Sequence, residues 1–177
     1  MKFLKWLLIT IVVLAIVLVV VGFLLPQQRH IERSITVSAT KDTVFNQLNN
    51  LQNFNNWSPW AGLDPDTTYT FTGPQGGVGA TMAWDSQMQE VGSGTYKIIE
   101  SNYPNQVKIE MKFGQEKMLA YSGFTLVDIG ADETRVTWSF DIDFGNNLIG
   151  RYIGLMMDSA IGSQYEQGLK NLKAVVE

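Results

Sequence analysis

Two hydrophobic periods organise the chain. Across 148–176 apolar residues recur at Ile149, Ile153, Met156, Ala160, Tyr165, Leu169, Leu172 and Val176. Steps of three, four or five place them on one face of a helix. The spacing predicts one long amphipathic helix, with Arg151, Asp158, Gln164, Glu166, Lys170 and Lys173 around the rest of its circumference. From Thr67 to Phe144 the period is two, which predicts strands. Tyr69 and Phe71 alternate with threonines, Gly73 to Gly77 marks a hairpin turn, and Val78, Ala80, Met82 and Trp84 share one side of the next strand. Four more strands are predicted over 92–101, 106–114, 117–128 and 133–144, separated by turns at 102–105, 114–116 and 130–132. Val107, Ile109, Met111 and Phe113 face inward in the second of these, and Met118, Ala120, Phe124 and Leu126 share a face in the third. In the last, Val136, Trp138, Phe140, Ile142 and Phe144 face inward while Asp141 and Asp143 face out.

Upstream, 31–38 alternates as a further strand. Thr40 then caps a helix whose inner face is Val44, Phe45 and Leu48. The aromatic, turn-rich stretch 51–60 reads as a second short helix or turn. The order β-α-α-β6-α predicts an α+β helix-grip fold, a seven-stranded curved antiparallel sheet around a long C-terminal helix. That helix contains Gly150, Gly154, Gly162 and Gly168, each weakening it by about 1 kcal/mol relative to alanine. Such glycines either admit close packing or make the helix a compliant lid, and the sequence allows both.

A third pattern precedes these. Residues 3–25 form an almost uninterrupted apolar run of roughly 34 Å as a helix, enough to cross a hydrocarbon core of about 30 Å. Lys2 and Lys5 lie at its start, Trp6 sits at an interfacial depth and Pro26 ends it. The run exceeds the roughly 7–15 residues of a signal-peptide core and no A-x-A site follows, which favours a retained anchor over a cleaved leader. The expected organisation is therefore a transmembrane anchor over 1–26, a linker over 27–33 and a folded domain over 34–177. Arg29 and Arg33 on the far side offset the two lysines, so the positive-inside rule favours an outward-facing domain by only a small margin.

Charge and chemistry narrow the function. From Ser34 onward nine Lys and Arg face sixteen Asp and Glu, a net charge of −7, which makes the domain a poor partner for nucleic acid. The chain has no cysteine and one histidine, His30, expected to be solvated beside the membrane. No ligand-like carboxylate cluster is apparent. Asp64 and Asp66 flank a proline in a turn, and Asp141 and Asp143 lie on a polar strand face. The Gly73 to Gly79 stretch lacks the Lys-Ser/Thr and helix of a phosphate loop. No catalytic residue, metal ligand or cofactor site is assigned on this basis. Tyr69, Tyr96 and Tyr165 are the acid-base side chains an enzyme would have to use. The inward aromatic and sulfur residues are Trp57, Trp60, Trp84, Trp138, Phe113, Phe124, Phe140, Met82, Met111, Met156 and Met157. Together with Ala160 and Tyr165 they line one ligand space or fill a core, and apolar stripes alone do not separate the two.

The ordered set Ile35-x-Val37-x-Ala39, Val44-Phe45, Asn56-Trp57-Ser58-Pro59-Trp60, Gly77-Val78-Gly79-Ala80-x-x-x-Trp84, Gly92-x-Gly94, Thr134-x-Val136-x-Trp138 and Gly168-Leu169-x-x-Leu172-Lys173 resembles the START-related SRPBCC superfamily. Within it, the set resembles the bacterial polyketide cyclase/dehydrase-like proteins. The resemblance runs from Ile31 to Val176. It implies a hydrophobic tunnel between sheet and long helix and a hydrophobic small molecule or lipid as partner. With the anchor, it implies single-pass residence in an inner (cytoplasmic) membrane. It carries no universal catalytic motif, so binding is expected ahead of a cyclase or dehydrase reaction, and a filled-core interaction domain is the remaining alternative.

Overall fold

The computed structural model describes residues 2–114 and 118–177. An apolar helix α1 (Lys2–Leu24) leads into strand β1 (Gln28–Val37), followed by α2 (Lys41–Asn49) and α3 (Leu51–Phe54). Six strands come next: β2 (Thr68–Thr72), β3 (Thr81–Asp85), β4 (Ser93–Asn102), β5 (Gln106–Phe113), β6 (Met118–Gly130) and β7 (Glu133–Asp143). Two helices close the chain, α4 (Leu148–Ile153) and α5 (Met157–Val176). The strands form one antiparallel sheet in the order β1-β7-β6-β5-β4-β3-β2, a meander from β2 to β7 with β1 added beside the last strand. Register shifts at Ile98/Glu100 and Asp128/Gly130 are places where an extra residue bends a strand and raises its twist. The result is the helix-grip fold.

Local chemistry accounts for the elements. The Thr40 side chain accepts from the Thr43 N–H at the start of α2, and Val44, Phe45 and Leu48 are its buried face. In β7 every second residue from Thr134 to Ile142 is buried, and β5 buries Val107, Ile109 and Met111. The sheet therefore has one polar and one apolar face, as alternation requires.

Several expectations need correction. The strand β1 begins at Gln28, so most of the stretch expected to be a linker over 27–33 pairs with β7. The turn after β2 is longer than a tight hairpin, and Val78 is exposed because β3 starts only at Thr81. Met118 is exposed at the start of β6, while the predicted strand start at Lys117 and the turn residues Gln115 and Glu116 lie outside the described residues.

The largest correction concerns the closing helix, which is two helices. After Ile153 the backbone tightens into i to i−3 bonds, Leu155 N–H to the Tyr152 carbonyl and Met156 N–H to the Ile153 carbonyl. The break follows from what α4 packs on. A side chain at Gly150 or Gly154 would run into the Phe144 ring, so α4 sits too close to the sheet end to continue straight into α5. Ile149, Ile153, Met156 and Ala160 are consequently exposed, whereas Tyr165, Leu169 and Leu172 are buried. Arg151, expected on the solvent side, is fully buried. Its guanidinium donates to the Gly145 carbonyl from Nε (3.0 Å) and Nη2 (2.6 Å), and from Nη1 to the carbonyls of Gly22 (3.3 Å), Phe23 (3.1 Å) and Leu25 (3.4 Å). These last groups are the carbonyls that a helix C-terminus leaves without partners.

Candidate functional site

The concave face of the sheet is filled at one end and open at the other. At the filled end Trp57, Phe124 and Trp138 are fully buried and pack edge-on or tilted, with ring centroids 5.0–5.8 Å apart. These three expected lining residues are core. At the open end is a cavity of about 400 Å³, within the roughly 300–1,000 Å³ typical of small-molecule sites.

Sheet register builds the cavity wall. Met82 on β3 pairs with Tyr96 on β4, which pairs with Met111 on β5. One row nearer the strand ends, Trp84 pairs with Gly94 and Gly94 with Phe113. Gly94 is required by close approach, since a Cβ there would lie 2.6 Å from Trp84 Cζ2. The Trp84 indole thus lies across the strand and donates from Nε1 to the Val91 carbonyl at 3.1 Å, which ties down the β3–β4 loop. Phe140, Trp60, Ile161 and Tyr165 complete the apolar wall. The exposed lining residues Gln89, Glu90 and Gly114 mark where the cavity meets solvent.

Seven of the thirteen residues singled out from sequence border this space: Trp60, Met82, Trp84, Met111, Phe113, Phe140 and Tyr165. Met156 and Ala160 are exposed and Met157 is half-buried, and none of them borders it. The break before α5 resets the helical phase, so the inward stripe is Met157, Ile161, Tyr165, Leu169, Leu172 and Val176. Sequence reasoning missed Ile161, although the step of five from Ala160 to Tyr165 marked a change of phase. It also missed Phe54, at the end of the single-turn helix α3, and Asn55 and Ser58 in the turn that follows.

Two deeply buried phenols, Tyr96 and Tyr165, are among the polar residues that border the cavity. Burial pushes the hydroxyl of Tyr96 up, and burial followed by the nearby Tyr96 does the same for Tyr165. Both therefore hold their protons at neutral pH and act as donors. Tyr165 meets the Ser122 hydroxyl at 3.3 Å. Ser122 also accepts from Trp138 Nε1 at 2.9 Å and donates to the Ser139 carbonyl at 3.0 Å. Although Ser122 is close to Tyr96 and moderates its shift, it is already engaged, and Tyr96 makes no well-formed hydrogen bond among the described residues. The Asn55 side-chain oxygen is likewise buried and unpartnered. Both residues border the cavity.

Tyr69, whose hydroxyl burial also pushes up, and the exposed Glu90 border the cavity as well, whereas Asp64 and His30 lie elsewhere. The Ser86 hydroxyl and the Asp66 N–H hold the Asp64 carboxyl below its usual range. His30 is exposed, as expected, but not free: Nδ1 lies 2.6 Å from Asp141 and Nε2 3.3 Å from Glu32. Among the described residues no group of three acidic or histidine side chains is placed to hold a metal.

A helix-grip fold with an aromatic cavity defines the class, that of the START-related SRPBCC proteins with Bet v 1-like architecture. The chain belongs to the polyketide cyclase / dehydrase and lipid transport family, whose model matches residues 28–177. No curated protein matches the sequence. Among solved structures it is similar to truncated norcoclaurine synthase from Thalictrum flavum, with a TM-score of 0.65 at 13% identity over 85% of this chain and 94% of that one. The same enzyme in complex with dopamine and hydroxybenzaldehyde gives 0.64 at 13% identity, covering 84% and 86%. A protein from Nitrosospira multiformis gives 0.57 at 17% identity, covering 84% and 97%. At these identities the likeness is one of fold.

Proposed function

We propose that this chain is a membrane-tethered module that holds a hydrophobic small molecule or lipid carrying one hydrogen-bond-accepting oxygen. The observation that carries the reading is the unfilled apolar cavity bordered by Tyr96, whose buried hydroxyl makes no well-formed hydrogen bond among the described residues. A buried donor without a partner is destabilising by roughly 1–3 kcal/mol, and a ligand carbonyl or hydroxyl would relieve that. Two phenols held as neutral donors suit grip rather than proton abstraction, which favours binding over a cyclase or dehydrase reaction. That a protein of the same fold is seen with dopamine and hydroxybenzaldehyde is in keeping with oxygen-bearing apolar ligands. The tether rests on α1, whose 22-residue span Phe3–Leu24 has a mean hydropathy of 3.4 and is almost wholly exposed.

The test is titration of the detergent-solubilised full chain with a fluorescent fatty acid, beside an Ile161→Trp variant that fills the cavity. Saturable binding lost in the variant, with the fold intact by circular dichroism, supports the reading. Binding unaffected by the variant, or none across a broad panel of amphiphiles, overturns it. Alkaline carbonate extraction tests the tether, which predicts that the protein stays in the membrane pellet.

A further inference from the structure

The last turns of α1 are built into the domain. Tyr152 on α4 donates its hydroxyl to the Leu18 carbonyl at 2.6 Å. A side chain at Gly22, the buried position of α1, would meet Tyr152 and Leu148 at 3.2–3.4 Å. Arg151 holds the carbonyls at the end of the same helix. Leu18 lies six residues before Leu24, so α4 runs beside roughly the last 9 Å of α1. If α1 spans a bilayer, there is no slack in its length for α4 to stand clear of it: 22 residues give about 33 Å against a core of about 30 Å.

What α4 turns outward at this depth is apolar. Ile149 is 74% exposed and Met156 72%, with Ile153 and Leu155 more than half exposed between them. The guanidinium of Arg29 packs against Gly154 beside this patch, its Nε and Nη2 buried. The same end of the sheet carries the cavity mouth. Gln28 pairs with Asp143, Ala120 with Ile142, Phe113 with Met118 and Gly94 with Phe113, so the strand ends next to α1 and those next to Gln89, Glu90 and Gly114 lie at one end.

We propose that α4 and the corner joining it to α5 seat in the interfacial layer of the bilayer beside α1, and that this holds the cavity mouth against lipid so that ligand exchanges directly between bilayer and cavity. The proposal rests on the reading of α1 as a membrane span. An apolar helix face lying at the headgroup boundary and anchored by a neighbouring span is an ordinary interfacial arrangement. It also explains why this cluster of large side chains is exposed in the folded chain, since an exposed apolar patch of this kind marks an interaction surface.

The absence of cysteine from the natural chain allows a direct test. Single cysteines at Ile149, Met156 and, at the opposite end of the sheet, Val127 are labelled with an environment-sensitive fluorophore. The full chain is then placed in vesicles of phosphatidylcholine and phosphatidylglycerol containing a lipid-borne quencher. Labels at 149 and 156 are expected to shift to the blue and lose most of their emission to the quencher, with the label at 127 unaffected. If all three behave alike in water while the protein resists carbonate extraction, the seating is wrong and the tether stands. Release of the protein from the vesicles removes both. For the exchange itself, an Ile149→Ser, Met156→Ser double variant with unchanged circular dichroism should take up a fluorescent fatty acid from vesicles several-fold more slowly than the parent, while binding it equally well in detergent. Equal uptake rates overturn direct exchange.

Discussion

Trp138 and Tyr165 stack face to face, their ring centroids 3.8 Å apart and their planes 10° from parallel. This contact joins the sheet to α5, and both rings meet the same hydroxyl, that of Ser122. Trp138 also touches Trp57, Trp60, Phe54 and Phe124, so it is the hub on which the filled half of the core closes. Tyr165 turns from that hub to the cavity wall, and the boundary between core and cavity runs through this pair.

Replacing Trp138 by alanine is expected to destabilise the protein by about 3–5 kcal/mol, the range for a large buried aromatic whose cavity cannot collapse. Denaturant unfolding of the solubilised chain measures it. A loss below about 1 kcal/mol would contradict the placement of Trp138 at the hub.

Gly162 and Gly168 should respond oppositely to alanine. At Gly162 the added methyl meets the guanidinium of Arg33, the end of a flexible side chain whose ion pairs with Asp158 and Glu166 are exposed on the acidic side. Such pairs contribute about 0–1 kcal/mol and alanine gains about 1 kcal/mol of helix propensity, so the change should be close to neutral. At Gly168 a Cβ would lie 2.7 Å from Trp138 Cζ3 and 3.0 Å from Pro59 Cδ, and neither can swing away. Overpacking of this kind is destabilising by about 1–3 kcal/mol, which outweighs the propensity gain. Equal effects at the two sites, measured by unfolding, would show that the Trp138 and Tyr165 stack tolerates displacement.

These glycines also show what the sequence could and could not reveal. Alternation identified the inward faces of β5 and β7, because a strand's period is set by covalent geometry. Helical periodicity produced one helix where there are two, because α4 packs its glycines on Phe144 and its Leu148, Arg151 and Tyr152 on α1, and the contacts with α1 are distant in sequence. Arg151 read as a surface charge for the same reason, since three of the four carbonyls it serves are more than a hundred residues upstream. The cavity's hydrophobic lining was largely legible, but its emptiness was not. Trp84 and Trp138 look alike in pattern, and only the packing of their neighbours makes one a wall and the other a core.

His30 should give the stability a pH dependence. The hydrogen bond to Asp141, with a smaller one to Glu32, raises its pKa above 6.5 in the folded chain, and burial opposes this only in part. The folded state therefore favours the imidazolium. Its contribution is fully present below about pH 6.5 and is lost as pH rises through the higher folded value. The unfolding free energy should fall across that window, modestly because the pair is more than half exposed. His30→Gln should flatten this part of the profile, and a parent protein that grows more stable over the same window would contradict the assignment.

The Tyr96 hydroxyl offers the sharpest test of the cavity. In the empty protein it is a buried donor with no well-formed hydrogen bond among the described residues, so Tyr96→Phe removes a desolvated group and little packing. The variant should be more stable than the parent by about 1 kcal/mol when empty, because an unsatisfied buried polar group is destabilising by about 1–3 kcal/mol. Binding should change in the other sense. A ligand whose oxygen accepts from Tyr96 loses a hydrogen bond of about 0.5–1.5 kcal/mol, up to roughly tenfold in affinity, while a pure hydrocarbon probe should bind the variant at least as well. Thermal unfolding without ligand and titration with a matched fatty alcohol and alkane read the two effects separately. If the variant is instead less stable when empty, the hydroxyl has a partner such as Ser122 in the resting protein, and a ligand would have to compete for it.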